Sequence, residues 1–336
     1  MSLLQKINEY LRRKHPGPIE LILGLMLIMA LVNAMPVVKN FPDYEAYRVM
    51  YEEWDFIPNI NWGPVYIFIN RFFKFLGLNY GEFRVALYLL STSLFWVSVL
   101  ILKKKFYKNE KFNIFQLLVI LVSIEFFIEF YLIRVRAGVA ISLATFAISL
   151  FLTTNRLAIP LALLGISYFL HSFSTVVLGV FLIPAFLALK NIELRFNIYW
   201  VFIGFIVIYL IELSSAYRGL NAYSKLNTYR FLAISPITIL FFIINHYLSN
   251  KEAGSGIFDK YINNTFCIYM ALISGVFVAF IMGIINNSGE GLLRILYVFN
   301  VVWILALLLS RSRYRLTVAY IALVNAAFFV YSVFLR

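Results

Sequence analysis

Apolar residues run along this chain in long blocks separated by short polar joints. Eleven blocks are long and apolar enough to be read as helices crossing a bilayer: 20–38, 83–102, 112–132, 137–153, 157–170, 173–189, 196–213, 231–248, 262–285, 293–310 and 314–335. About 20 such residues cover ~30 Å of hydrocarbon. The runs lack the two-residue alternation of a barrel strand, and a helix satisfies its own backbone hydrogen bonds in lipid. The pattern predicts an all-α polytopic membrane protein with about eleven transmembrane helices. No repeat, low-complexity tract or linker divides the chain, so residues 1–336 read as a single integral membrane domain. Basic residues precede the first block, and no small-x-small site follows it near Met35–Lys39, so it reads as an uncleaved anchor.

The longest stretch outside these blocks is 39–82. Gly63-Pro64 within it reads as a helix start, with proline at the first helical position. The following turns place Val65, Phe68, Phe72, Phe75 and Leu76 on one face and Asn70, Arg71 and Lys74 on the other. That division suits an amphipathic helix lying in the outer interface or re-entering the bundle; a plain surface helix is the alternative.

Composition agrees with the pattern. The chain is 62% hydrophobic and 13% charged, against about 25% charged in soluble domains. A disordered chain has the opposite balance. Cys267 is the only cysteine, which excludes an intramolecular disulfide. Three histidines and one cysteine are too few for a multi-ligand His/Cys metal site. The only aspartates are Asp43, Asp55 and Asp259, with no Asp-x-Asp pair to hold a divalent cation. Nucleotide-binding, dinucleotide-binding, serine-hydrolase and zinc-protease motifs do not occur in the sequence. The expectation is chemistry without metal or cofactor, on a substrate that arrives already activated. The net charge of +13 points to anionic partners such as lipid headgroups or phosphorylated substrates. Nucleic acid is not expected, because a membrane-buried chain has no large soluble basic face.

Lys and Arg in the joints set the orientation. Lys103, Lys104, Lys105, Lys108 and Lys111 in one short joint, and Arg311, Arg313 and Arg315 in another, place those joints and the N-terminus in the cytoplasm. The segment 39–82 then lies outside. Basic residues left on the outer side stand against the general bias and become candidates. Arg134 and Arg136 lie between the third and fourth spans, Arg218 and Arg230 bracket a later outer joint, and Arg294 opens the tenth span. Arginines at helix ends also snorkel to headgroups. Five of them at one depth would instead suit a phosphorylated ligand, since the guanidinium fork matches phosphate oxygens. Glu125 and Glu129 share one face of the third span, as salt-bridge partners of Arg134 or Arg136, or with Glu129 as a base or orienting group. His171 ends the fifth span at the depth of Arg136, either as an interhelical hydrogen-bonding group or as a proton acceptor. Asp43, Tyr44 and Tyr47 follow the first span. Interfacial tyrosines are common belt residues, and an aspartate beside them is placed to orient an arginine or a sugar hydroxyl.

Taken in order, several of these elements resemble those of the EpsG/Wzy-type polysaccharide polymerases. Arg136-Ala137-Gly138-Val139-Ala140 is similar to the R-x-G-x-A opening of a membrane helix in that family, and Leu170-His171-Ser172 to the ending of its next helix, with Leu for the common Phe. Pro42-Asp43-Tyr44 with Tyr47, then Gly63-Pro64 and the helix up to Leu76-Gly77-Leu78, resembles the first outer loop. Arg294-Ile295-Leu296-Tyr297 resembles a late R-x-x-Y element. The match departs at Val135, which separates two arginines, and at Leu170. The resemblance implies a GT-C-like bundle in the bacterial inner membrane. It further implies an inverting glycosyltransferase that joins undecaprenyl-pyrophosphate-linked oligosaccharides on the periplasmic face, with membrane lipids and a chain-length regulator as further partners. Arg136 and Arg294 would stabilise the pyrophosphate, supported by Arg134, Arg218 and Arg230. His171 or Glu129 would serve as base or orienter, and Asp43, Tyr44, Tyr47 and Tyr297 would contact sugar or arginine. The competing readings are a lipid-linked oligosaccharide flippase or other transporter, and an O-antigen ligase.

Overall fold

The computed structural model describes residues 42–53, 63–107, 127, 134–171, 181–213, 238–240, 256–282, 298–309 and 315–330. These residues form helices, and no strand occurs among them. In chain order the helices are α1 (Pro42–Glu52), α2 (Pro64–Phe75), α3 (Tyr80–Phe106), α4 (Val135–Thr154), α5 (Ala158–Leu170), α6 (Leu182–Leu189), α7 (Ile198–Leu213), α8 (Ile257–Ile281), α9 (Asn300–Leu309) and α10 (Arg315–Val330). Among the described residues, α3, α4 and most of α8 are long and apolar enough to cross a membrane; α5, α7 and α9 are shorter apolar helices. The chain divides into two compact units, Met1–Thr175 and Val176–Arg336.

In the first unit α3 packs on α4, and α4 on α5. The buried side of α4 is built largely of Gly138, Ala140, Ser142, Ala144, Ala147 and Ser149, small residues that let membrane helices approach closely. Ser167 in α5 donates from Oγ to the Ala140 carbonyl of α4 at 2.8 Å. Asn155 ends α4 in the left-handed conformation, φ 53°, so that α5 turns back within three residues. The helix α3 opens with a capping box, Asn79 and Glu82 each accepting from the other's backbone N–H at 3.0 and 2.8 Å. That cap starts the helix ahead of the apolar run and places Arg84 just past its first turn.

The short helices α1 and α2 cover one end of these spans. Tyr51 Oη donates to the Leu78 carbonyl at 2.8 Å, Tyr80 Oη to the Tyr44 carbonyl at 3.1 Å, and Lys74 Nζ to the Glu52 carbonyl at 3.1 Å. Gly63 sits against α5: a Cβ on it would fall 1.9 Å from the Phe169 carbonyl oxygen. One apolar core joins Tyr47, Met50 and Tyr51 of α1, Tyr66 of α2, Tyr80, Phe83 and Leu87 of α3, Val135, Val139 and Ala140 of α4, and Leu170 of α5. The starts of α3 and α4 and the end of α5 therefore share one level.

The helix α2 does not divide as its spacing predicts: Val65 packs on the core with Ile67, Ile69 and Phe73, while Arg71 and Lys74 are exposed beside the outer phenylalanines and Asn70 alone of the polar face turns in. Phe68, Phe72, Phe75 and Leu76 are exposed, whereas Tyr66 and Asn70 are buried. The arrangement suits a helix whose outer side meets hydrocarbon, as do exposed Leu89, Leu90 and Val97 on α3 and Ile159, Leu161 and Ile166 on α5.

In the second unit α7 and α8 approach at glycines: a Cβ on Gly204 would lie 1.8 Å from the Ala271 carbonyl oxygen, and one on Gly275 2.3 Å from the Gly204 carbonyl carbon. Trp303 of α9 meets Tyr269 and Phe266 of α8 with ring centroids 5.2 and 5.6 Å apart. The polar start of α8 clamps the joint between α6 and α7. Asn264 accepts from Leu194 N–H at 2.6 Å and donates to the Ile192 carbonyl at 3.0 Å, while Asn263 donates to Glu193 at 3.0 Å.

Candidate functional site

The charged and polar groups of interest gather where α1 and α2 cover the ends of α3, α4 and α5. Arg84 enters from α3. It is buried at 4% exposure, and its guanidinium carbon lies 4.5 Å from the Tyr44 ring centroid and 5.8 Å from that of Tyr80. The two rings meet edge to face at 5.4 Å. Arg136 enters from the first turn of α4, half-buried, with its guanidinium carbon 5.9 Å from the Tyr66 ring. Tyr66 in turn meets Tyr47 edge to face at 5.9 Å. Two cations from different helices thus rest on tyrosine rings, Arg84 on Tyr44 and Tyr80 and Arg136 on Tyr66, an arrangement favourable for cations over ring faces.

Tyr66 is fully buried, and burial pushes its hydroxyl well above the ordinary phenol range; Tyr47 and Tyr80 add to the effect, while Arg136 and Asn70 oppose it. It stays a neutral hydroxyl at any physiological pH. Asn70 lies one helical turn beyond Tyr66 on the same inward side of α2 and is 4% exposed. Its amide adjoins Tyr66, yet neither its nitrogen nor its oxygen reaches hydrogen-bonding geometry. Leaving such a group unsatisfied typically costs about 1–3 kcal/mol.

The end of α5 completes the surroundings. His171 caps that helix, half-buried, with its backbone N–H donating to the Ser167 carbonyl at 2.9 Å. It follows Leu170, a member of the shared core, and Leu170 and Phe169 are the residues against which Gly63 packs. The Gly63-Pro64 and Leu170-His171 segments, far apart in sequence, therefore adjoin. Arg134 is the N-cap of α4, and its side chain makes no capping hydrogen bond there. The start of α4 thus presents backbone N–H groups and positive dipole to its surroundings.

Of the residues singled out in the sequence, Tyr44, Tyr47, Arg134, Arg136 and His171 belong to this end of the first unit. Asp43 is part of α1, and its side chain lies outside the described residues. Glu129, Arg218, Arg230, Arg294 and Tyr297, with Glu125, lie outside them as well. Arg84 and Asn70 were missed as site residues. A charge just inside an apolar run was the available signal for Arg84. Among the described residues no three His, Cys, Asp or Glu side chains gather as metal ligands would.

Chemically, two guanidinium groups, phenolic hydroxyls and an amide offer mostly donors, which suits anionic oxygen. No family model matches the chain, and neither a curated protein nor a solved structure matches it significantly.

Proposed function

We propose that the protein is a polysaccharide polymerase of the bacterial inner membrane, with about eleven spans in a GT-C-like bundle and its site on the periplasmic side. Its substrates are undecaprenyl-pyrophosphate-linked oligosaccharides. The observation that carries this reading is that Arg84 and Arg136, from two different helices, each rest on tyrosines at the end of the first unit where His171 caps α5. In the reaction a hydroxyl of the acceptor repeat unit attacks the anomeric carbon of the donor. A new glycosidic C–O bond forms as the anomeric C–O bond to the diphosphate breaks, and the electron pair leaves with the diphosphate. Arg136 and Arg84 offset the charge that develops there; fixed donors do this without reorganisation as the reaction proceeds. The hydroxyl proton passes to a base, for which His171 is the candidate of the right type at this end of the bundle. The outward phenyl stripe of α2 gives the prenyl tail an apolar approach to the same place.

The test is chain growth from a lipid-linked repeat unit in proteoliposomes. Arg136→Ala should slow growth by about 10²-fold or more, as loss of one preorganised donor does in other enzymes, and His171→Ala should slow it comparably. Chains of normal rate and length in both variants would overturn the assignment. Movement of labelled lipid-linked sugar between leaflets without chain growth would replace it with a flippase.

A further inference from the structure

The buried Asn70 amide has no evident structural reason to be where it is. It sits on the inward side of α2, where Tyr66 is buried and Ile69 and Phe73 pack on the same core, so an apolar side chain at that position would complete the packing. Instead α2 carries Asn70 to the inner side, at 4% exposure, with both of its polar atoms unsatisfied. One turn away is Tyr66, and over Tyr66 lies the Arg136 guanidinium. An amide is also the wrong group to bind phosphate alone. It has one acceptor and two donors, whereas a diphosphate offers acceptors only. A ligand that satisfies both ends must itself donate and accept, as a sugar hydroxyl pair or an acetamido group does.

We propose that Asn70 is a specificity-determining contact for the sugar attached directly to a diphosphate held by Arg84 and Arg136. The site so defined takes a glycosyl diphosphate. In this structure α2 covers it, and the ligand enters as α2 lifts away from the ends of α4 and α5. Gly77, at φ +78° between α2 and α3 with nothing within 4 Å of the Cβ position, supplies backbone freedom there. The inference rests on the polymerase reading for the lipid-linked form of the ligand. Its chemistry would be shared by a nucleotide sugar.

The experiment measures binding to the purified full chain in nanodiscs. Four probes are used: inorganic pyrophosphate, farnesyl diphosphate, farnesyl diphosphate bearing N-acetylglucosamine, and uridine diphosphate N-acetylglucosamine. Wild type should bind the sugar-bearing farnesyl diphosphate roughly tenfold more tightly than farnesyl diphosphate alone, the value of about one well-placed hydrogen bond. Asn70→Leu should erase that difference while leaving farnesyl diphosphate and pyrophosphate within about twofold of wild type. Arg84→Gln should weaken all phosphate-bearing probes together, by roughly tenfold or more. Asn70→Leu removes an unsatisfied amide, so its melting temperature without ligand should not fall; Asn70→Gln provides a second check, keeping the amide but displacing it, and should also lose sugar discrimination. Tight binding of the uridine diphosphate sugar in preference to the farnesyl one would support the subsite and assign its source to nucleotide sugars. Sugar discrimination that survives Asn70→Leu, equal weakening of all probes by it, or no binding of any probe to wild type would each overturn the inference. Binding with the expected variant pattern but no chain growth would leave the subsite standing and remove the polymerase reading.

Discussion

Single atoms decide how tightly this end of the first unit closes. Gly63 has no room for a side chain, since a Cβ would stand 1.9 Å from the Phe169 carbonyl oxygen and 3.0 Å from that of Leu170. Backbone on the α5 side cannot yield as a flexible side chain would. Gly63→Ala should therefore separate α2 from α5, costing about 1–3 kcal/mol, and a thermal melt of the detergent-solubilised protein would record it. The ion pairs of α1 behave differently. Arg48 Nε donates to Glu45 at 2.9 Å and Nη1 to Glu52 at 3.0 Å, and the hydrogen bond from Arg48 holds the Glu45 carboxyl below its usual range. A depressed carboxylate contributes stability above its unfolded pKa and loses it as pH falls through the depressed value. These side chains are solvated, so Arg48→Ala should leave the melting temperature between pH 6 and 8 within about 2 °C of wild type. Any difference between the two should vanish in acid. The candidate site was only partly legible at this scale. Arg136, Tyr44, Tyr47 and His171 stood out because they end or follow apolar runs. Arg84 carried the signal of a charge just inside an apolar run, but it falls within the 83–102 block and reads with that span rather than with the outer arginines. Asn70 was readable only as part of a polar face with Arg71 and Lys74, but those two stay exposed while Asn70 turns in with Tyr66 and Phe73; spacing alone does not say where along a helix the boundary of burial falls.

At the scale of elements the hydrophobic blocks that fall among the described residues lie on helices, while those at 20–38, 112–132 and 231–248 lie outside them but for residues 127 and 238–240. The runs at 83–102, 137–153, 157–170 and 196–213 lie on α3, α4, α5 and α7 with shifts of a few residues at their ends. The largest departure is α8, which begins at Ile257 rather than at 262. Ahead of 262 it carries Asp259 and Lys260, which lower the hydropathy there, and Asn263 and Asn264 follow just inside the run. They are held in the helix because the joint 190–194 satisfies them: Lys260 bonds Asn191, and Asn263 and Asn264 bond residues 192–194. Asn264→Ala would remove two of those ties and leave backbone groups of the joint without them. A loss of about 1–3 kcal/mol, read by chemical denaturation, is expected. Where α7 meets α8, Gly204 and Gly275 let the two backbones touch. Leucine at Gly275 should force the helices apart and lower stability at least as much. The outward stripe of α2 makes a spectroscopic prediction. Phe75 is 86% exposed; if its surroundings are hydrocarbon, tryptophan placed there should be quenched by brominated lipid and little by aqueous iodide. Quenching by iodide alone would put α2 in water and remove the lipid approach to the site.

For the whole molecule, the positive joints and the outer arginines imply one orientation, which packing within the first unit makes testable. The shared core brings together the start of α3, the start of α4 and the end of α5, as required if each of those ends faces the outer side. The far end of α3 carries Lys103, Lys104 and Lys105 in its last turn, where cationic side chains also complement the helix dipole. The positive-inside rule predicts a cytoplasmic place for that end. Glu53, exposed just after α1, and Lys104, exposed at the far end of α3, then lie on opposite sides of the membrane. Cys267 provides a clean background for the measurement, being the only cysteine in the chain and buried in α8 with its Sγ donating to the Leu194 carbonyl at 3.4 Å. Buried thiols in apolar surroundings react slowly, so wild type should label weakly with a membrane-impermeant maleimide. In intact spheroplasts Glu53→Cys should label at once, and Lys104→Cys only after the membrane is permeabilised. The reverse pattern would turn the first unit over. It would place Arg84, Arg136 and His171 at the cytoplasmic face, where substrates are delivered as nucleotide-activated sugars as well as lipid-linked ones, and the periplasmic polymerase reading would then be lost even if every helix stayed where it is.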